Sequence, residues 1–151
     1  MLLWRSGNIE VRVWPLDHCP PHVTAVCRAD NWEARFEFSM VSDDVSVWSI
    51  TPKSNAPSKS VIDAIAQDVH QRRAQCRAAW WKYQQHGHGV CLDNAPVSRT
   101  PSGAVVLWDP LSGKSPAGTI MPRTGIYLAG HGVRADVNWG SQVTTELLKE
   151  V

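Results

Sequence analysis

The chain has 151 residues, of which 43% are hydrophobic and 19% are charged, and its formal net charge is +1. This length allows one core of ordinary size or two small lobes that share a core, and the composition excludes a disordered chain. A net charge near zero excludes a strong overall field that would attract nucleic acid or a membrane surface.

Four strand-like segments come first in the chain, at residues 9–14, 23–28, 32–38 and 45–50. The third segment, WEARFEF, alternates most regularly, so that Trp32, Phe36 and Phe38 share one face. A period of two is typical of a half-buried strand. Because short turns join the four segments, the sequence predicts an antiparallel β-meander.

A pair of prolines separates the first two strands in the segment DHCPPHV, residues 17–23. Pro20 and Pro21 have no backbone N–H, so this segment is neither a helix nor a central strand. The spacing of four between His18 and His22 is therefore not that of a helical zinc pair, although both side chains can lie on one side of an extended chain. They are either turn residues of a rigid corner or groups for polar recognition, acid–base chemistry or metal binding.

The longest helix pattern extends from about Ser58 to Gln84, with hydrophobic residues repeating every three or four positions. Its polar face is basic and carries six residues that form the predicted partner-binding surface: His70, Arg72, Arg73, Arg77, Trp81 and Lys82. This face would dock an acidic partner protein or contact nucleic-acid phosphates, with Trp81 stacking on a base. A plain solvated helix face is the alternative.

After residue 86 glycine, proline and serine become more frequent, and short strands are expected at residues 104–108, 119–121, 126–128 and 135–139. A closing helix is expected from Ser141 to Val151. The predicted fold class is α+β. Residues 1–86 would form an antiparallel β-meander packed on one long amphipathic helix, and residues 87–151 a second small β-rich lobe with a short C-terminal helix.

The four cysteines show no C-x-x-C spacing, and we see neither a signal peptide nor an apolar run of the roughly 20 residues that span a bilayer. These features predict a cytoplasmic protein with reduced thiols and no membrane partner. His86, His88 and Cys91 could bind zinc with a fourth ligand from elsewhere, but a hydrophilic linker is favoured. We expect no metal and no other cofactor.

The element His18-Cys19-Pro20-Pro21-His22-Val23, the strand EARFEF and the helix end RAAWWKY occur in an order that resembles a known family. The family consists of short bacterial and phage proteins catalogued as a domain of unknown function, and the resemblance covers roughly residues 5–85. It implies a gene arrangement like that of toxin–antitoxin pairs. Family members carry a further histidine where this chain has Thr24, and residues 87–151 would be an extension.

The sequence has no P-loop, no G-x-G-x-x-G, no G-x-S-x-G and no paired carboxylates on one face, which disfavours several enzyme classes. We therefore expect a small non-enzymatic protein that binds a partner protein in a toxin–antitoxin-like or phage and host-defence setting. One alternative is a ribonuclease-like toxin that uses His18 and His22, with Arg28 or Arg35 stabilising phosphate charge. The other is a nucleic-acid-binding regulator that uses the basic helix face. The oligomeric state is not predicted.

Overall fold

Two antiparallel sheets with eleven strands make up most of the regular secondary structure, and two helices lie between them in the sequence. A computed structural model describes residues 1–151. The predicted fold class is wrong in its proportions, because the chain is mostly β and has neither one long helix nor a C-terminal helix.

The first sheet is a meander whose strands are paired in chain order: β1 (Leu2–Ser6), β2 (Ile9–Arg12), β3 (His22–Cys27), β4 (Trp32–Phe38) and β5 (Val45–Thr51). All four strands predicted in this region are confirmed, and β1 is additional. Trp32, Phe36 and Phe38 are buried on one face of β4, as the alternation predicts. That face forms one side of the core.

The predicted long helix consists of two helices, α1 (Lys59–Gln71) and α2 (Arg73–Gln84). The break is at Arg72, whose backbone has φ −105° and ψ 20°. α1 packs on β4 and β5, whereas α2 packs on β1 and β3. One straight helix could not follow both ends of a twisted sheet, so the change of direction lets each half cover different strands.

The second sheet has the order β11-β10-β8-β6-β7, and β9 pairs with β10 beside this path. Its strands are β6 (Pro96–Arg99), β7 (Val105–Leu107), β8 (Gly118–Ile120), β9 (Ile126–Leu128), β10 (Gly132–Asn138) and β11 (Val143–Lys149). The four strands predicted here are confirmed, β9 with the predicted bounds and the other three with shifted ends, and β6 is additional. Two short 3₁₀ turns occur at Lys53–Asn55 and Pro110–Ser112.

The C-terminal helix predicted for residues 141–151 is wrong, because these residues contain β11, which pairs with β10 from Gly132↔Lys149 to Asn138↔Val143. Val143 and Leu147 are four residues apart, a spacing that places two side chains on one face of a strand as well as of a helix. The β-branched run Val143-Thr144-Thr145 favours the strand. Pairing with β10 decides between the two.

One hydrophobic cluster contains buried residues from both sheets and both helices, so the predicted boundary at residue 86 separates two sheets that share a core. Arg77 of α2 is 1% exposed and joins the two parts. Its Nε and Nη2 donate to the carbonyl oxygens of Ser39 and Ser42 (2.9 and 2.6 Å), and its Nη1 donates to Glu150 Oε2 (2.9 Å). Neither helix is long and apolar enough to cross a membrane.

A disulfide between Cys19 and Cys91 also joins the two parts, with 5.6 Å between the two Cα atoms. The expectation of reduced thiols is wrong for this pair, and only Cys27 and Cys76 are free. The two bonded cysteines are 72 residues apart in the sequence. Their spacing therefore gives no indication of the bond, which depends on packing the corner at residues 17–23 against the segment that follows α2.

Candidate functional site

His22 is the buried centre of the proline corner. Its ring is 1% exposed, its Nδ1 lies 2.8 Å from the carbonyl oxygen of Pro20, and its Nε2 lies 3.2 Å from Asp17 Oδ1. The Nε2–Oδ1 distance is short enough for an ion pair, but the relative orientation of the imidazole and the carboxylate does not meet the geometry of a hydrogen bond. Asp17 is itself held because its Oδ2 accepts from the backbone N–H of Trp14 at 2.8 Å. Both ring nitrogens of His22 thus face acceptors inside the protein, away from any substrate in solvent.

His18 lies at the surface of the same corner, with its Nδ1 3.0 Å from the carbonyl oxygen of Cys19. Its ring centroid is 6.1 Å from that of His22. The indole of Trp48 packs edge-on against both imidazoles, at centroid distances of 5.9 Å to His18 and 5.2 Å to His22. The structure therefore brings the two predicted histidines together and adds a tryptophan that the sequence analysis did not single out.

A β-bulge places Trp48 beside the histidines. Along the β4–β5 pair, Arg35 is opposite Ser49 and Phe36 is opposite Val47, so Trp48 is the extra residue. A bulge redirects a side chain, and here Trp48 points to the same side of the sheet as Arg35. The guanidinium carbon of Arg35 lies 5.7 Å from the Trp48 ring centroid, a cation–π distance.

A second tryptophan–arginine pair lies on the same side of the sheet. The guanidinium carbon of Arg12 is 5.4 Å from the Trp14 ring centroid. Arg12 and Arg35 are both opposite Thr24 of β3, one from each neighbouring strand. Five residues together form the surface that we call the Trp–Arg face: Arg12, Trp14, His18, Arg35 and Trp48. It lies on the side of the first sheet opposite the helices, and its two indoles are 38% and 40% exposed.

The Trp–Arg face carries charges of both signs. Arg12 forms an ion pair with Glu10 at 2.7 Å, and the hydrogen bond from Arg12 is the main reason that the pKa of Glu10 is lowered. Arg35 forms no ion pair, although Glu33 and Glu37 lie on either side of it along β4. Its donor groups are free to bind a ligand. Beneath the two arginines Thr24 is 2% exposed and its hydroxyl has no hydrogen-bond partner.

A signal for this surface exists in the sequence. In VSVWSIT the three residues opposite the buried positions of β4 are Val45 and Val47, which have odd numbers, and Ile50, which has an even number. Such a change of parity within one strand indicates an inserted residue, and Trp48 lies where the change occurs. The excess of tryptophan, eight against two tyrosines and two phenylalanines, indicates in addition that some indoles have a role outside the core.

The structure does not assemble the basic partner-binding surface predicted on the helix. Arg77 is buried, and Arg73 donates to the backbone oxygens of Val151 and His70 at 2.6 and 2.7 Å. The prediction of a contact role is therefore wrong for Arg77. Arg72 lies 5.0 Å from the Trp4 ring, His70 is 3.9 Å from Asp43, Trp81 is half-buried and Lys82 is exposed. Arg72, Arg73 and His70 thus have separate partners within the protein, and with Arg77 buried the six residues do not form one basic surface.

His86, His88 and Cys91, the considered zinc ligands, line a cleft of about 660 Å³ between the two parts of the protein. Cys91 is bonded to Cys19, so its sulfur is not a thiolate ligand in this structure. No three or more His, Cys, Asp or Glu side chains are arranged to hold a metal ion. The cleft also contains Asp93 and Arg123, which interact through Asp93 Oδ1 and the Arg123 backbone N–H at 3.0 Å.

No protein-family model, curated protein or solved structure matches this chain. The resemblance to the short bacterial and phage family therefore rests on the residues quoted for it, and the site has to be interpreted from its own geometry.

Proposed function

We propose that this protein is a non-enzymatic binding protein that docks on a partner protein through the Trp–Arg face. The observation that carries the proposal is the pair of half-exposed indoles, Trp14 and Trp48, each stacked with an arginine on an uncovered sheet face. Tryptophan and arginine are the residues most often found at energetic hot spots of protein interfaces.

The charge distribution favours a protein over a nucleic acid as the ligand. Glu10, Glu33 and Glu37 alternate with Arg12 and Arg35 across the sheet face, so a uniformly negative backbone would be repelled as well as attracted. A protein surface can match such a mixed pattern with its own charges. The exposed Leu16 beside Trp14 adds apolar area to the same end of the sheet.

The ribonuclease alternative has less support. A two-histidine mechanism needs both imidazoles within reach of the substrate, one to accept and one to donate a proton. His22 is buried against Asp17 and the Pro20 carbonyl. Of the two arginines considered for stabilising phosphate charge, Arg35 lies against Trp48, which packs on both histidines. Arg28 directly follows β3, at the opposite end of that strand from His22. This arrangement fits a positioned recognition surface with His18 at its edge better than an acid–base pair.

The proposed setting is the cytoplasm, with the small protein encoded beside this one as the partner, in a toxin–antitoxin-like regulatory pair. That setting derives from the family resemblance and makes the proposal directly testable. Binding of the neighbour-encoded protein is measured by calorimetry for the wild type and for Trp48→Ala. We expect the dissociation constant to rise roughly 30-fold, the size of a hot-spot loss of about 2 kcal/mol.

Trp108→Ala is the matched control, because the indole of Trp108 is partly exposed and the residue directly follows β7 in the second sheet. It should bind like the wild type. A partner that binds Trp48→Ala normally would contradict the assignment of the Trp–Arg face. Tight, strongly salt-dependent binding of single-stranded RNA in the absence of a protein partner would favour the nucleic-acid alternative.

A further inference from the structure

The Cys19–Cys91 disulfide lines an open cleft. Cys19 is exposed, Cys91 is half-buried, and both line the cleft of about 660 Å³. That volume is within the range of small-molecule sites. Glycines at positions 87, 89 and 125 add no side chains to its wall. A small molecule can therefore reach the sulfur of Cys19.

The other two cysteines cannot take part in the same chemistry. Cys27 is 2% exposed and Cys76 is fully buried. Burial raises the pKa of the Cys76 thiol to about 12, so that it stays protonated and unreactive near neutral pH. The protein thus contains one exposed cysteine pair and two inert thiols, and only the exposed pair can respond to the redox state of its surroundings.

The cleft has a chemical preference. His86, His88 and Arg123 line it as nitrogen-bearing or cationic side chains, while Asp93 is the one carboxylate and already accepts from the backbone N–H of Arg123. A ligand with carboxylate groups can accept hydrogen bonds from the imidazole and guanidinium N–H groups of this wall, whereas an ammonium group finds only the Asp93 carboxylate as a charged partner. Both the reactive bond and the side chains that would select its reactant lie in one cavity.

We propose that Cys19–Cys91 is an exchange site at which a small anionic thiol opens the disulfide. The thiolate of the small molecule attacks Cys19 Sγ, because Cys19 is the more exposed residue of the pair. The Cys19–Cys91 bond breaks, Cys91 leaves as a thiolate and takes up a proton, and a mixed disulfide remains on Cys19. A second thiolate attacks the mixed disulfide. The sum is two small thiols and one protein disulfide giving two protein thiols and one small disulfide.

Opening the bond releases a connection between the corner and the segment after α2. The corner remains tied to α2 by Gln84, whose Nε2 donates to the carbonyl oxygens of Asp17 (2.7 Å) and Pro15 (3.3 Å). Residues 86–91 lose their covalent attachment to it. In a reducing cytoplasm a disulfide is expected to be transient and regulatory, which agrees with an exposed bond in a selective cleft.

The experiment compares the rates at which glutathione, an anionic thiol, and cysteamine, a cationic one, reduce the air-oxidised full chain, each rate being corrected for its thiolate fraction. Free thiols are alkylated and counted by mass spectrometry. We expect glutathione to be faster and its advantage over cysteamine to fall about threefold in Arg123→Gln and on addition of salt. Arg134→Gln is the control, since Arg134 is exposed on β10 outside the cleft.

Cys91→Ser tests the site of attack separately. Treated with oxidised glutathione, this variant should carry one glutathione on Cys19, with Cys27 and Cys76 unmodified. Four free thiols in the air-oxidised protein, or an equal glutathione advantage in both arginine variants and at every salt concentration, would overturn the proposal. Because no partner protein is present in these measurements, failure of the proposed partner binding would leave their outcome unchanged.

Discussion

Arg77 and Glu150 form a nearly buried ion pair between α2 and the residues after β11, with 2.9 Å between Nη1 and Oε2. The hydroxyl of Tyr127 donates to the same carboxylate oxygen at 3.1 Å. Arg77 also satisfies the carbonyl oxygens of Ser39 and Ser42. One guanidinium from the middle of the chain therefore fixes the loop after β4 and the end of the second sheet at the same time.

Arg77→Met should lower the free energy of unfolding by about 3–5 kcal/mol, the range for removing one partner of a buried pair. The Glu150 carboxylate would keep only the Tyr127 hydroxyl as a donor, and the backbone oxygens of Ser39, Ser42 and Val151 would lose the guanidinium. Urea unfolding followed by tryptophan fluorescence measures the change. Arg72→Met serves as the control and should cost less than about 1 kcal/mol, because Arg72 is exposed and makes only a cation–π contact with Trp4.

Gln84→Ala should destabilise the proline corner by about 1–3 kcal/mol, since the carbonyl oxygens of Pro15 and Asp17 lose the amide that donates to them. Gln84 is 3% exposed, so water cannot easily replace its side chain. The adjacent Gln85 is exposed and provides a matched variant. Equal unfolding free energies for Gln84→Ala and Gln85→Ala would show that the corner does not depend on this amide.

Reduction of the Cys19–Cys91 disulfide should lower the free energy of unfolding by about 4 kcal/mol, because the bond closes a loop of 72 residues in the unfolded chain. The measurement compares urea unfolding with and without a strong reductant. The double variant Cys19→Ser and Cys91→Ser should be insensitive to reductant and should resemble the reduced wild type. A double variant as stable as the oxidised protein would indicate that the bond contributes nothing.

Stability should fall steeply between pH 9 and pH 12. Burial raises the pKa of Cys76 to about 12, and burial together with the charge of Glu150 raises that of Tyr127 to about 12. Both groups have a higher pKa in the folded protein than in the unfolded chain. Their stabilisation is therefore complete below the unfolded values near 9 and 10, and it is lost as the pH rises through 12. Cys76→Ala should flatten this decline, whereas a decline unchanged by that variant would contradict the role of the thiol.

Gly132→Ala should destabilise the protein by more than about 3 kcal/mol. The backbone of Gly132 has φ +135°, and an added Cβ would overlap the carbonyl oxygen of Leu148 in the paired strand β11. Gly130 also has a positive φ, +78°, but a Cβ there meets no atom within 4 Å. Gly130→Ala should therefore cost only about 1 kcal/mol. Thermal unfolding of both variants separates the steric overlap from backbone strain.

The strands of the first sheet were predictable because one of its faces is buried. Alternation in WEARFEF follows directly from placing Trp32, Phe36 and Phe38 in the core. The strands β1 and β6 lack this pattern. β1 reads LLWRS and β6 begins with Pro96, so pairing with their neighbours, and not a local preference, makes them strands. The break at Arg72 likewise depends on which strands each helix covers.

For the candidate site, the sequence indicates the correct segment but not the roles within it. The spacing of His18 and His22 suggests equivalent imidazoles, whereas packing against Asp17 and Trp80 buries one and leaves the other exposed. Long-range packing also decides that Cys19 meets Cys91 and that Arg77 lies inside the protein. None of these outcomes has a local signature in the sequence.

The register Arg12–Thr24–Arg35 has a mechanical consequence for recognition. Because one strand separates the two arginines, the hydrogen-bonded ladder sets the distance between their backbones at about 10 Å. A loop would have to freeze its backbone to hold two anchor points at such a spacing. A sheet holds them at a constant separation before any contact is made, so association would sacrifice little conformational entropy and would discriminate strongly against ligands whose own anchors are spaced differently.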